Sequence, residues 1–485
     1  MRKLLLASAA IFGATGGLAF AQSAHTTQGQ VEGVWTNGPA ANNNNNSVGT
    51  ATKGATAVPT PGKIVVRLNG RVETELHATF TSADKAGVIT GGGSFKVNPV
   101  NFASYMRLYP GVDGMATNGL RYGASIELRE NFNNPNSATA FTAASSPSGY
   151  SSSETVFVRR AFVYMGTDQV GIVRIGQTDG LIGLFDNGTY TSATWEGGVG
   201  SFNGGMMQAT SPSAGVAIPF AWLSQAGSEY SNTKIVYLTP QFAGFDFGVQ
   251  YAPSMGNAYS NSTGATALQD ATCAVAGAGC NSVSTGNDAT RWLNQVAVGG
   301  RYQGSFSGVD VGAYAVYMTA GKEAINGGGV VLTGLNATSA GAVKYDNLSF
   351  VNAGMFVRLP TTGLTWAIDY NGGAVNGQLA MRPSGGVGEN AILTGLVYKN
   401  GPWTLGAEIG IVESQGSTKL VKVSQRKETE VAFGGTYTPA PGLALVLEFM
   451  HTERHQGGFD FIANATGTTR DVQGNGVMFS TIVTW

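Results

Sequence analysis

An alternation of polar and apolar residues with a period of two is the feature that most restricts how this chain can fold. It is clearest over residues 63–80, where one face of the segment is polar or charged and the other is mainly aliphatic. The polar face carries Arg67, Asn69, Arg71, Glu73, Glu75, His77 and Thr79. A period of two, with β-branched and aromatic residues, predicts a β-strand whose two faces lie in different environments.

The same alternation recurs along the rest of the chain. Further strands are predicted at residues 95–109, 119–132, 154–165, 169–177, 232–239, 244–252, 291–304, 308–320, 343–359, 363–371, 389–400, 402–414, 427–438, 442–454 and 472–485. With the first segment this makes sixteen. An even number of strands of about ten residues is typical of a single-chain bacterial membrane barrel.

The connections between the predicted strands alternate in length. Short connections with turn-forming residues fall at 109–111, 166–169, 239–244, 303–308, 360–363, 400–402 and 439–442. Long connections fall at about 81–94, 133–153, 178–231, 253–290, 321–342, 372–388, 415–426 and 455–471. A soluble sandwich has no reason for this asymmetry, whereas an antiparallel transmembrane barrel has short periplasmic turns and long outer loops. We therefore predict an all-β, sixteen-stranded barrel over residues 63–485.

The residues before the barrel indicate export. Residues 1–3 are basic in character, residues 4–18 are apolar, and Ala19-Phe20-Ala21 forms a small-residue cleavage motif, so residues 1–21 are predicted to be a signal peptide. The apolar run is shorter than the roughly 20 residues of a membrane-spanning helix, which disfavours an anchor. Residues 22–62 are polar and of low complexity, and we interpret them as a periplasmic segment without a core of its own.

Composition supports a barrel and excludes several functions. The chain has 71 glycines in 485 residues and only 12% charged residues, about twice and about half the usual shares respectively. Removing residues 1–21 leaves 26 basic and 29 acidic residues. This balance gives no indication of a nucleic-acid partner.

Cysteine and histidine give no indication of a cofactor or a catalytic site. Cys273 and Cys280 lie in a predicted outer loop of an exported protein, where a local disulfide is the favoured interpretation. No histidine lies nearby, so no metal site and no cofactor are predicted. His451, Glu453 and His455 form a candidate catalytic cluster, but their alternation along a strand favours a solvated rim. An outer-membrane barrel with a hydrolytic or a surface-binding, adhesive role remains the alternative.

Two blocks of sequence resemble the general bacterial porin family, the trimeric sixteen-stranded type. The first is FVRRAFVY at 157–164 with GIVRIGQ at 171–177, similar to the family's R-x-A-F-V-G-L and G-x-V-R-[LV]-G-R. The second, YSNTKIVY at 230–237 with TPQFAGFDFGVQY at 239–251, is similar to N-S-x-x-Y-x-S-P-x-F-x-G-F-x-F-x-x-Q-Y. Gln177 and Tyr164 depart from the usual Arg and Gly. The resemblance extends through the strand pattern over residues 63–485.

The resemblance implies a water-filled channel in the bacterial outer membrane for passive diffusion of small hydrophilic solutes and ions. It also implies a homotrimer in contact with outer-membrane lipid and lipopolysaccharide. The third long loop, about 177–231, would fold into the barrel as a constriction, although a solvated outer loop is the alternative. Its candidate acids are Asp179, Asp186 and Glu196.

Porins place a ladder of arginines on the wall opposite such a loop. The candidates here are Arg67, Arg71, Arg107, Arg121, Arg129, Arg160 and Arg174, although the sequence does not decide between Arg159 and Arg160. Acids facing guanidinium groups would set up a transverse field that orients water and dipolar solutes. Later strands supply inward acids instead: Glu408, Glu430 and Glu448. Ion selectivity therefore stays open at this point.

The last strand, 476–485, resembles the final strand that serves outer-membrane proteins as an assembly signal, although it ends on Trp485 where Phe is usual. Other aromatic residues fall near the predicted strand ends, as an interfacial girdle requires. They include Tyr302, Tyr317, Trp366, Tyr370, Tyr398, Trp403, Tyr437 and Phe449.

Overall fold

The structure is a computed structural model that describes residues 60–82, 85–89, 93–96, 99–131, 156–178, 180–185, 233–254, 292–322, 346–376, 381–416, 425–461 and 465–485. Sixteen antiparallel strands form a closed barrel. The first and last strands pair over eleven positions, from Arg71↔Thr484 to Thr81↔Gly474, and so close the ring. In the described part of the chain, no helix is long and apolar enough to cross a membrane.

The elements follow the chain in simple order. They are β1 (Lys63–Thr81), β2 (Lys85–Ile89), β3 (Gly93–Lys96), β4 (Val100–Met115), β5 (Arg121–Asn131), β6 (Phe157–Thr167), β7 (Gly171–Gln177), α1 (Leu181–Phe185), β8 (Thr233–Leu238), β9 (Phe245–Ser254), β10 (Trp292–Phe306), β11 (Val309–Lys322), β12 (Leu348–Leu359), β13 (Leu364–Ala374), β14 (Glu389–Asn400), β15 (Trp403–Ser414), β16 (Arg426–Ala440), β17 (Leu443–His455), β18 (Phe459–Asp460), β19 (Ala465–Thr466) and β20 (Val472–Thr484). The barrel comprises β1, β4 to β17 and β20, each paired with its neighbour in sequence. The pairs β2–β3 and β18–β19 are small separate hairpins.

The predicted fold class is confirmed, and the strand boundaries differ mostly by a few residues. The main error concerns the turn predicted at residues 109–111, which lies inside β4. Pro110 pairs with Leu68 of β1, while the pairing of β4 with β5 passes from Leu108↔Leu128 to Gly111↔Ser125. Proline lacks a backbone N–H and interrupts one ladder without ending the strand. The actual turn lies at residues 116–120.

The short turn between β10 and β11 shows how backbone conformation sets a tight connection. Ser307 and Gly308 join β10 to β11, and both have positive φ angles, 51° and 82°. Two consecutive residues with positive φ give a tight hairpin turn whose twist matches that of the flanking strands. A glycine is well suited to this position because it adopts positive φ without a steric penalty.

The two faces of the barrel wall differ sharply. In β9, Phe245, Phe247 and Val249 are exposed, whereas the alternating Asp246 and Gln250 are buried. The same division holds round the ring, with exposed aliphatic and aromatic side chains on one face. The opposite face carries most of the buried charged residues of the described chain. An apolar exterior and a polar interior are what a barrel in a bilayer needs.

Candidate functional site

Buried ion pairs line the inner wall along β1 and β4. The guanidinium group of Arg67 pairs with the carboxylate of Asp113 across the β1–β4 ladder. The Tyr164 hydroxyl of β6 donates a hydrogen bond to the same carboxylate. Arg71 pairs with Glu73 two residues further along β1. Two guanidinium groups of the predicted ladder are therefore neutralised within the wall itself.

The other predicted ladder arginines differ in their positions and in how far their side chains are buried. Arg107 is the direct cross-strand partner of Arg71 and of Arg129, so these three positions form one row across β1, β4 and β5. Arg121 is partly exposed, and its Nη1 lies 3.8 Å from Asp168 Oδ1. Arg174 of β7 is fully buried, with its guanidinium carbon 5.2 Å from the centre of the Phe162 ring. The side chains of Arg129 and Arg160 are outside the described part of the structure.

Strand β6 is irregular at the two adjacent arginines. Glu127 of β5 pairs with Arg160, but the next residue, Leu128, pairs with Val158, so β6 carries one extra residue at Arg159. The alternation of exposed residues shifts accordingly, from odd numbers at Val163 to an even number at Val158. Strand β6 is therefore not regular at Arg159 and Arg160, and a β-bulge of this kind changes the phase of the side chains.

The third long connection begins inside the barrel. All five residues of α1 are buried. The amide N–H of Leu181 donates to Gln250 Oε1 of β9 at 2.7 Å. A Cβ built on Gly248 would lie within 3.0 Å of both Leu181 and Phe185, so the absence of a side chain there makes room for α1. Because Gly248 and Gln250 share the face opposite the exposed apolar residues, α1 packs on the inner wall.

Arg301 of β10 is the residue that secures α1, and the sequence analysis did not identify it. Its Nη1 donates to the Leu184 carbonyl oxygen at 3.1 Å. Its Nε and Nη2 bind the two carboxylate oxygens of Asp246 at 2.9 and 2.6 Å, and its guanidinium carbon lies 5.3 Å from the Phe185 ring centre. Alternation places Arg301 on the polar face, but its partner Asp246 follows only from the β9–β10 register.

An acidic region lies on the far side of the ring. Glu408 of β15, Glu430 of β16 and Glu448 of β17 are buried on the inner face. In the sixteen-strand order, β15 and β16 lie eight strands away from β7 and β8, which carry the buried Arg174 and Lys234. Glu408 and Glu430 therefore lie opposite Arg174 and Lys234 across the barrel, and these two acids are on the wall rather than on a loop.

The histidine cluster lies on the outer face at the end of β17. His451 contacts Asn475 at 2.9 Å and Glu453 at 3.2 Å, and His455 contacts Asp471 at 2.7 Å. Glu453, His455 and Asp471 are each more than half exposed. These contacts are those of a solvated rim, where each imidazole lies beside a carboxylate.

Several predicted residues lie outside the described part of the chain. They are the loop acids Asp179, Asp186 and Glu196 and the cysteines Cys273 and Cys280. The predicted signal peptide, residues 1–21, and nearly all of the low-complexity segment also lie outside the described residues.

Comparison with known proteins gives a family and a set of similar folds. A family model described as Gram-negative porin matches residues 7–457. The in-vitro folded outer membrane protein OmpT of Vibrio cholerae, in a trimer form, is 12% identical with a TM-score of 0.45, over 87% of this chain and 99% of that chain. An anion-selective porin from Comamonas acidovorans is 14% identical with a TM-score of 0.48, over 87% of this chain and 100% of that one. No curated protein matches.

Proposed function

This chain belongs to the Gram-negative porin family; it is an outer-membrane channel for passive diffusion of small hydrophilic solutes and ions, and we propose that its third long connection narrows that channel. The position of α1 supports this proposal, because the first turn of the connection is held against the inner wall by Gln250 and Arg301. A segment that starts inside a barrel reduces the cross-section open to solutes.

The inner wall favours a preference for cations. The guanidinium groups of Arg67, Arg71 and Arg301 each pair with a carboxylate of the wall, which cancels much of their field. Glu408 has no ion pair with any described side chain, and it lies beside two further carboxylates. Charged rings that line a pore select ions of opposite sign. We therefore infer a net attraction of cations along β15 to β17.

A reversal-potential measurement tests this selectivity. The purified full chain, reconstituted in a planar bilayer between unequal concentrations of KCl, is expected to show the sign of a potassium-preferring channel. The triple variant Glu408→Gln, Glu430→Gln and Glu448→Gln should lower that preference. Glu453→Gln removes one carboxylate charge from the outer face of β17 and should leave the preference unchanged. A wild-type channel that prefers chloride would refute the assignment.

Export and assembly are further proposals. We infer that residues 1–21 are removed, that residues 22–62 stay in the periplasm, and that the mature chain forms a homotrimer in contact with lipid and lipopolysaccharide. Family membership supports these proposals. Mass spectrometry of the purified protein should give an N-terminus at Gln22, and light scattering in detergent should give three chains per particle. A single chain per particle would refute the trimer.

The described residues and the comparisons offer no support for a hydrolytic or adhesive role. Porins act as passive channels, and the contacts of the His451 cluster lie on the outer face, away from the lumen. A passive channel therefore accounts for the charged interior without an additional activity.

A further inference from the structure

A row of oxygen-bearing side chains runs along the inner face of β15, β16 and β17. It comprises Glu408, Glu430, Glu448, Thr436 and Thr452, all of them buried. Thr452 is the direct cross-strand partner of Glu430. Thr436 lies on β16 two residues from Gly434, which is the cross-strand partner of Glu448. Glu408 lies on β15 two residues from Gly410, which is the cross-strand partner of Glu430. We call these five residues the acidic lane.

Three oxygen atoms, on the two threonines and on Glu408 of the acidic lane, have no hydrogen-bond partner within the described structure. They are Thr436 Oγ1, Thr452 Oγ1 and Glu408 Oε2. The two threonines are 1% and 0% exposed. A buried polar group without a partner costs free energy, so such groups are uncommon in native structures. Two hydroxyls without partners beside three carboxylates indicate a place for a ligand that donates hydrogen bonds and carries positive charge.

The geometry of the lane limits what this ligand is. Within the described residues, no three His, Cys, Asp or Glu side chains are grouped closely enough to hold a metal ion. A primary ammonium group has three hydrogen-bond donors and no acceptor. Carboxylate and hydroxyl oxygens in a row suit such groups spaced along a short chain.

We propose that the acidic lane is a subsite for the primary ammonium groups of small amines that pass through the channel. This inference rests on the proposed cation preference and adds a chemical class of solute to it. An ammonium group beside Glu430 and Thr452 gains charge-assisted hydrogen bonds to the carboxylate and donates to the hydroxyl. A second ammonium group of the same molecule reaches a neighbouring carboxylate of the lane.

Block of single-channel current by 1,4-diaminobutane tests the subsite. Current through the full chain in KCl is expected to show interruptions that increase with diamine concentration. Glu408→Gln should raise the concentration for half-block about tenfold, the loss of one charge-assisted hydrogen bond. Thr452→Val removes no charge and should raise it about threefold, and Thr452→Ser should restore it. Glu453→Gln is the matched control outside the lumen and should not change it.

Block by magnesium chloride distinguishes binding at the subsite from attraction by the general negative field of the lumen. Mg²⁺ has the same charge as the diamine, so a purely electrostatic effect would make both block alike and would leave Thr452→Val without effect. Either result would overturn the proposal, as would a potassium-preferring channel that the diamine does not block. Absence of current, or chloride preference, in KCl alone would instead refute the underlying channel assignment and the subsite with it.

Discussion

The indole ring of Trp485 lies over the α-carbon of Gly70 on the neighbouring strand. A Cβ at Gly70 would lie 2.1 Å from Cζ2 of the indole. The two residues also exchange backbone hydrogen bonds of 3.1 Å in both directions. The chain terminus therefore continues the β1–β20 ladder beyond β20, and the missing side chain of Gly70 provides the space that the indole fills.

Gly70→Val is expected to destabilise the barrel, because the new side chain would displace the indole. Overpacking of this kind costs about 1–3 kcal/mol. Urea unfolding of the reconstituted protein, followed by tryptophan fluorescence, measures the effect.

A double-mutant cycle provides the control. Once Trp485→Ala has removed the ring, Gly70→Val should cost much less, since valine itself suits a strand. If Gly70→Val lowered the free energy of unfolding equally with and without the Trp485 ring, the contact between the two residues would not be the cause of the loss.

The hydroxyl of Tyr164 supports the buried carboxylate of Asp113. Tyr164→Phe should lower the free energy of unfolding by about 1.5–3 kcal/mol, the usual worth of a hydrogen bond to a charged group. Tyr122→Phe removes a hydroxyl from an exposed ring on the adjacent strand and is expected to have little effect. A shift of the urea midpoint of similar size in both variants would contradict the assignment.

The Arg454–Glu428 pair predicts a strong asymmetry between single and double substitutions. Both side chains are buried, and Arg454 Nε lies 2.5 Å from Glu428 Oε1. Glu428→Gln leaves a buried guanidinium group without this carboxylate and should cost about 3–5 kcal/mol. The double variant Glu428→Gln, Arg454→Met should recover part of that loss, since it removes both charges. Urea midpoints of the three proteins would decide, and additive losses would contradict a buried pair.

Much of the fold follows from the sequence because alternation is a local property. Period two identifies each strand and its polar face, and the unequal connections orient the strands between two rims. The turn at residues 109–111 was wrong because proline and glycine usually mark turns. In β4 the proline is accommodated where the ladder with β5 is interrupted, which depends on the neighbouring strand.

The site was less accessible to sequence reasoning because it depends on pairing between strands. Arg67 and Arg71 were placed on the polar face, but their partnership with Asp113 and Glu73 follows only from three-dimensional structure. The bulge at Arg159 requires the register of β5 against β6. Arg301 has no motif of its own, since an arginine on the polar face of a strand is equally compatible with simple wetting of the lumen.

Arg301 connects the start of the third loop to the wall, so its substitution should widen the channel. Arg301→Met keeps much of the side-chain volume but removes the bonds to Leu184 and Asp246. Without them α1 loses its main polar attachment, and we expect a larger and noisier single-channel conductance. Bilayer recordings in KCl at fixed voltage measure both properties.

The matched control is Arg358→Met, which removes a guanidinium group from the inner face of β12. Its guanidinium carbon lies 5.2 Å from the Phe356 ring centre, and no described contact joins it to α1. Both variants change the lumen charge by the same amount, so a difference between them reports the attachment of the loop rather than the field. Equal conductance in the two variants would show that Arg301 acts only through its charge.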